Sequence, residues 1–235
     1  MKRAIAIDGP NGSGKSTIAR MVAAELGFAY VDTGALYRAS GLFCLEQGAN
    51  LDNPAEIVAC LPNISLSVRY DENSAQHTYV NGKDMTGEIR TQLAAEAASK
   101  SARVPELREI IVNTARQIAA SENAVMDGRD VGTVILPNAD LKIFLNASVE
   151  VRAKRRLAEL LANGQSADYE AVLAEINERD HRDRTRESSP LVVADGAVVI
   201  DSSNMSIDEV RDRIIEELID HPVNTTCCHP SEEGN

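Results

Sequence analysis

Residues 8–17, DGPNGSGKST, crowd three glycines and a proline into one short loop and follow them with a lysine and two hydroxyl side chains. Glycine loses more conformational freedom on folding than any other residue, so such a loop needs a purpose. The segment fits G-x-x-x-x-G-K-[ST] as Gly9 to Ser16. Before it runs the apolar AIAID, and after it STIARMVAAEL repeats Ile18, Val22 and Leu26 at helical spacing up to a stop at Gly27. A strand, a glycine loop and a helix N-terminus in that order make a phosphate cradle, because main-chain N–H groups and the helix dipole converge on the same anion. Composition alone would supply the four fixed positions in roughly one chain of this length in a hundred. The loop therefore predicts a bound nucleoside triphosphate with Mg2+. Its residues are Gly9, Pro10, Asn11, Gly12, Ser13, Gly14, Lys15, Ser16 and Thr17. Lys15 is expected on the β/γ-phosphates and Ser16 directly on the magnesium, while Thr17 also packs or caps the helix.

Five short apolar runs read as buried strands: AIAID at 4–8, FAYVD at 28–32, AVMD at 124–127, LKIFL at 141–145 and AVVID at 197–201. Helical patterns separate most of them. Pro105 opens one that carries Leu107, Ile110, Ile111 and Ile118, and Ser206 with Glu209 has capping-box spacing ahead of Ile207, Val210, Ile214 and Leu218. Apolar strands alternating with helices imply an α/β fold with a five-stranded parallel sheet covered on both faces. Two stretches break the rhythm. ISLSVRY at 64–70 alternates strictly, and HTYVNGKDM at 77–85 contains the hairpin dipeptide Asn81-Gly82, so a small antiparallel insertion is expected. Residues 150–188 are helical and arginine-rich. The segment 221–235 has no periodicity and is expected to be a disordered tail.

The chain has 235 residues and a formal charge of −12, which argues against a polynucleotide partner. Trp is absent and aromatics make up 3%, so stacking of bases on an aromatic platform is not expected. No apolar run approaches the roughly 20 residues of a membrane span, and the start lacks a signal peptide's long apolar region. Cys44, Cys60, Cys227 and Cys228 form no disulfide framework; the last two, beside His229, read as free thiols in the tail. A cytoplasmic location and a monomer are the default expectations.

A phosphate cradle serves switches, motors and small-molecule kinases alike. The arginines discriminate among these. Arg152, Arg155, Arg156, Arg179, Arg182, Arg184 and Arg186 fall in one region, and helical spacing puts Arg179, Arg182, Asp183 and Arg186 on one face, with Arg184 in solvent. Guanidiniums sharing a face repel unless anions compensate, and arginine suits phosphate forks. A mobile arginine lid over two facing phosphates is expected for Arg179, Arg182 and Arg186, the alternative being a solvated face of intrahelical Arg–Asp pairs. At strand ends, where open α/β sheets bind ligands, VDTGALYR offers Asp32, Thr33 and Arg38, and MDGRDVGT offers Asp127, Arg129 and Asp130. Asp32 and Thr33 also suit a helix N-cap, Arg129 also suits a structural ion pair, and either Asp32 or Asp127 could hold a metal-bound water. No histidine lies in these motifs, and none is needed: a phosphomonoester acceptor, with its second pKa near ~6, is already largely dianionic. The residues alone point to phosphoryl transfer onto a phosphorylated small molecule, with a regulatory nucleotide switch as the competing class.

The ordered set IDGPNGSGKST, DTGALYR, GEIRT, MDGRDVGTVILPNADLKIFLNAS and ERDHRDRTRESSPL resembles the bacterial cytidylate kinases, from about residue 3 to about residue 220. The resemblance implies transfer of the ATP γ-phosphate to CMP or dCMP. It implies a CMP site of Thr33, Arg38, Ser99, Arg108, Arg129, Asp130, Arg179, Asp183 and Arg186. Within that site Arg38 lies near the phosphate, Ser99, Arg108 and Asp130 at the cytosine, and Asp183 at the ribose. Lys15, Arg129, Arg179 and Arg186 are the implied catalytic cations. The chain then divides into core at 1–61, 91–150 and 189–220, a monophosphate-binding insertion at 62–90 and a lid at 151–188. UMP, AMP or a non-nucleotide such as shikimate are the alternative acceptors.

Overall fold

The computed structural model describes residues 2–162 and 164–220, so the expected tail, with Cys227, Cys228 and His229, lies outside the described residues. In chain order the elements are β1 (Ala4–Asp8), α1 (Lys15–Leu26), β2 (Ala29–Asp32), α2 (Thr33–Glu46), α3 (Pro54–Cys60), β3 (Leu66–Tyr70), β4 (Gln76–Val80) and β5 (Lys83–Asp84). There follow α4 (Gln92–Ser101), α5 (Pro105–Ser121), β6 (Ala124–Gly128), β7 (Leu141–Asn146), α6 (Val149–Ala162), α7 (Tyr169–Thr185), β8 (Val198–Asp201) and α8 (Ile207–Asp220). A π turn at Val131–Ile135 follows β6.

The described residues form a five-stranded sheet in the order β2-β6-β1-β7-β8, every pair parallel. All five strands fall where the apolar runs place them. Alternate residues of β1 supply two cores. Ile5 and Ile7 pack with Val22 of α1, Val125, Ile143 and Ile214 of α8 on one face; Ala6 packs with Met126, Ala115 of α5 and Ile135 on the other. Burial on both faces explains why these strands are continuously apolar rather than alternating. The capping box of α8 forms in both directions, with Ser206 N–H donating to Glu209 Oε2 at 2.7 Å and Glu209 N–H to Ser206 Oγ at 3.2 Å.

A third core lies beneath α2, where Leu36 and Phe43 meet Ile57, Met85 and Leu107. Here α2 and α4 approach closely because Gly41 faces Ala97: a Cβ on Gly41 would lie 2.7 Å from the Ala97 carbonyl carbon. The antiparallel insertion is a three-stranded sheet, β3-β4-β5. Asn81 and Gly82, with φ of 52° and 81°, make the left-handed turn between the paired residues Val80 and Lys83. Gln76 at the start of β4 ties this sheet to the core, its Oε1 accepting the Asp32 N–H at 2.7 Å.

Helices α6 and α7 share their own small apolar cluster of Ala153, Val172 and Ile176. Arg152, buried to 1% exposure, pins them to the glycine loop. It pairs with Asp180 at 2.6 Å and donates to the carbonyls of Ala147 and Asn11, each at 3.0 Å. The expected helical face ends early, because α7 stops at Thr185 and Arg186 takes an extended backbone with ψ 139°. Breaking a buried ion pair from one side strands the other charge. Arg152→Met is therefore expected to cost about 3–5 kcal/mol in urea unfolding, with most of that recovered when Asp180 is also made Leu.

Candidate active site

The parallel register lines up three carboxylates at the C-terminal edge of the sheet: Asp8 ends β1, Asp32 ends β2, and Asp127 sits opposite Asp32 and Ile7 in β6. Each does a different job. Asp8 is buried and accepts the N–H groups of Val131 at 2.8 Å and Gly132 at 2.7 Å, which fixes the π turn and the adjoining Arg129 and Asp130. Burial lifts its carboxyl to about 6 despite those hydrogen bonds. Asp127 accepts from Ser16 Oγ at 2.7 Å and from the Tyr30 hydroxyl at 2.8 Å. Burial first, and the Asp32 charge second, push its carboxyl upward. Asp32 caps α2 through the Ala35 N–H at 2.9 Å and pairs with Arg38 at 2.7 Å.

The glycine loop enters α1 through Gly14, whose φ of 90° belongs to the left-handed region that favours glycine. Lys15 is buried and donates to the Pro10 carbonyl at 3.2 Å. Burial, then the nearby Arg129 charge, lowers its ammonium to about 7. Opposite this wall Thr33 donates to the Asp127 carbonyl at 2.7 Å, so the alternative held for both residues is divided: Asp32 is the cap and Thr33 braces the strand end. Gly128 is required beside it, since a Cβ there would lie 2.6 Å from the Thr33 hydroxyl.

A cleft of about 430 Å3 opens between the two walls, within the range of small-molecule sites. Asn11, Lys15 and Ser16 line it from the loop, whereas Gly9, Pro10, Gly12, Ser13, Gly14 and Thr17 are not part of its lining. Thr33, Arg38, Ser99, Arg129, Asp130, Arg179, Asp183 and Arg186 also line it. Arg108 lies buried behind, bound to Asp130 and to the Ala102 carbonyl at 3.1 Å. Arg129 pairs with Asp183 at 2.8 Å. Burial works against that carboxylate, but Arg129 and Arg179 hold it below its ordinary value. Arg179 is lowered to about 10 by burial and the Arg129 charge, and Arg186 is lowered by burial and Arg108. Arg186 stands 3.9 Å from Asp130 although it has left the helix.

Three of the seven arginines of the basic region do other work. Arg152 is the buried anchor, Arg156 pairs with Glu159, and Arg155 donates to the Ser202 carbonyl at 2.8 Å and to the Ser13 carbonyl at 3.4 Å. Arg184 is exposed as expected. Arg182 faces the cleft and donates to Ser99 Oγ at 3.2 Å. The sequence reading missed Asp8, Tyr30, Tyr37 and Gln76. Asp8 opens the glycine motif and could have been flagged as a strand-end carboxylate; the other three carry no local signal.

A family model described as cytidylate kinase matches residues 5–220. A cytidylate kinase of Geobacillus sp. (strain WCH70) is 46% identical over 212 residues, covering 90% of this chain and 94% of its own. One from Caldanaerobacter subterraneus subsp. tengcongensis is 43% identical over 214 residues, covering 91% and 93%. Among solved structures, an uncharacterized protein from Eubacterium ventriosum ATCC 27560 matches with a TM-score of 0.53 at 15% identity, covering 93% of this chain and 99% of that one. That likeness is one of fold.

The lowered Lys15 gives a test of the cradle. At pH 8 an ammonium that titrates near 7 is largely neutral, and phosphate oxygens favour its charged form. Binding of ATP at pH 8 is expected to take up approximately one proton, and much less at pH 6. Calorimetry in buffers of different ionisation enthalpy reads this directly, and Lys15→Met is expected to remove the dependence.

Proposed function

The chain belongs to the cytidylate kinase family, and from that premise we propose how its residues divide the work. The reaction is transfer of the ATP γ-phosphate to CMP or dCMP, giving ADP and CDP or dCDP. What supports the assignment of roles is one observation: Lys15 and Ser16 on one wall, and Arg38, Arg129, Arg179 and Arg186 on the other, share a single cleft.

In this reading the loop amides and Lys15 hold the donor phosphates while Arg38, Arg129, Arg179 and Arg186 hold the acceptor phosphate. An oxygen of the acceptor phosphate attacks the γ-phosphorus, the bond from that phosphorus to the β-bridging oxygen breaks, and ADP leaves. No general base is needed, because the acceptor is already anionic near neutral pH. Alignment and charge neutralisation supply the catalysis. Helices α6 and α7, closing over the cleft, keep water from competing for the phosphoryl group.

The donor set fits Mg2+, which favours few protein oxygens and several waters alongside phosphates. Ser16 Oγ would ligate it directly and Asp127, 2.7 Å from that hydroxyl, through water. Asp32 is committed to the helix cap and to Arg38, which favours Asp127 of the two candidates. Held by Ser16 and, through water, by Asp127, the ion would supply charge neutralisation at the phosphates. Asp130 accepts from the cytosine amino group, Arg108 donates to its carbonyl edge, Ser99 lines the base site, and Asp183 meets the ribose. We place the enzyme in the cytoplasm as a monomer acting on free nucleotides, in keeping with the free thiols of Cys44 and Cys60.

An ADP-release assay across CMP, dCMP, UMP and AMP tests the acceptor. CMP and dCMP are expected to turn over at least about tenfold faster than the others, the margin of one well-placed base contact; equal rates would contradict the cytosine reading. Asp130→Asn is expected to narrow that margin with the fold intact. Arg186→Ala is expected to lower kcat by roughly 10²-fold while ATP affinity stays within about twofold.

A further inference from the structure

Two buried side-chain atoms of the acceptor wall lack a hydrogen-bond partner among the described residues: the Tyr37 hydroxyl and Arg186 Nη2. An unpaired buried hydroxyl costs free energy, and native proteins hold few of them. Tyr37 is 8% exposed, lies on α2 one residue before Arg38, and forms part of the cleft wall. The Arg108 guanidinium lies over the Tyr37 ring, 5.3 Å from carbon to ring centre, while its nitrogens bond to Asp130 and the Ala102 carbonyl.

The charged groups around the hydroxyl are Asp130, Arg108 and Arg186. Of these, Asp130 and Arg108 are given above to the cytosine and Arg186 to the acceptor phosphate. Burial, followed by the Asp130 charge, pushes the phenol's ionisation well up, so it keeps its proton. Asp130 as a carboxylate only accepts and the two guanidiniums only donate, whereas a phenol does either. Such a group suits a base edge that mixes donors and acceptors.

We propose that the Tyr37 hydroxyl is a base-contacting specificity group, completing its hydrogen bonding on the cytosine ring of the acceptor. The proposal rests on the cytidylate kinase reading of the cleft and adds to it a hydroxyl that has no hydrogen-bond partner among the described residues. Its ring positions Arg108 and its oxygen meets the substrate.

Tyr37→Phe keeps the ring and removes only the oxygen. The KM for CMP is expected to rise about 3- to 12-fold, the ratio corresponding to one neutral hydrogen bond, with the KM for ATP unchanged. The melting temperature of the nucleotide-free variant is expected to equal or exceed that of the wild type, because an unpaired buried group has been deleted. An unchanged KM for CMP would overturn the proposal, and so would a lowered melting temperature with ATP and CMP affected alike, which marks a purely structural role. Wild-type enzyme assayed with CMP and UMP in parallel separates the two readings. If it shows no cytosine preference, the reading of the cleft fails; if it does and Tyr37→Phe matches it in every respect, only the role of Tyr37 fails.

Discussion

Like charges held close together, with too little counter-charge, govern this molecule. Lys15 is buried within reach of the Arg129 and Arg179 charges, Arg179 feels Arg129, and Arg186 feels Arg108. Two unit charges about 4 Å apart repel by roughly 4 kcal/mol at the effective dielectric of a protein surface. Asp32, Asp130 and Asp183 relieve part of that cost by pairing with Arg38, Arg108 and Arg129. In the proposed function, bound phosphates relieve the remainder. A chain with a net charge of −12 thus concentrates its cations in one cleft, where a triphosphate and a monophosphate would otherwise repel each other.

Holding such a cleft open requires backbone that does not yield. The sheet supplies it at the strand ends. Asp8 braces the π turn, Thr33 braces the Asp127 carbonyl, and Tyr30 with Ser16 orients the Asp127 carboxylate. π turns often mark functional sites; this one brings Arg129 and Asp130 to the cleft immediately after a fully buried strand. Helices α6 and α7 are built on different terms. They share a small apolar cluster of their own and are anchored to the glycine loop by Arg152, so that loop and the helix that carries Arg179 and Asp183 are mechanically linked.

Much of this was legible in the chain. Buried parallel strands and the glycine loop announce themselves locally, since periodicity and turn chemistry act over a few residues, and the Asn81-Gly82 hairpin and the Ser206 capping box followed from the same short-range rules. Arg129, Arg179, Asp183 and Arg186 could be nominated from charge and spacing. Their partners could not. That Arg152 is spent on Asp180 and Arg155 on Ser202 depends on contacts 28 and 47 residues apart. Tyr30 reads as a core aromatic until its hydroxyl is seen on Asp127, and Gln76 reads as polar surface until it meets Asp32. Helical spacing carried the arginine face only as far as Thr185, where the chain extends and brings Arg186 to Asp130 by another path. The choice of cytosine came from the resemblance, because base identity is set by a few atoms at the end of long side chains.

The central claim is that two phosphate sites face each other across one cleft. Calorimetric binding of a bisubstrate compound, adenosine and cytidine joined through their 5′ positions by a pentaphosphate, tests it most directly. If the sites face each other, tethering makes the second contact intramolecular, and the compound binds at least about 10²-fold more tightly than either ATP or CMP. Affinity no better than that of the tighter single nucleotide would mean that the two walls do not engage both phosphates at once, and the account would be wrong.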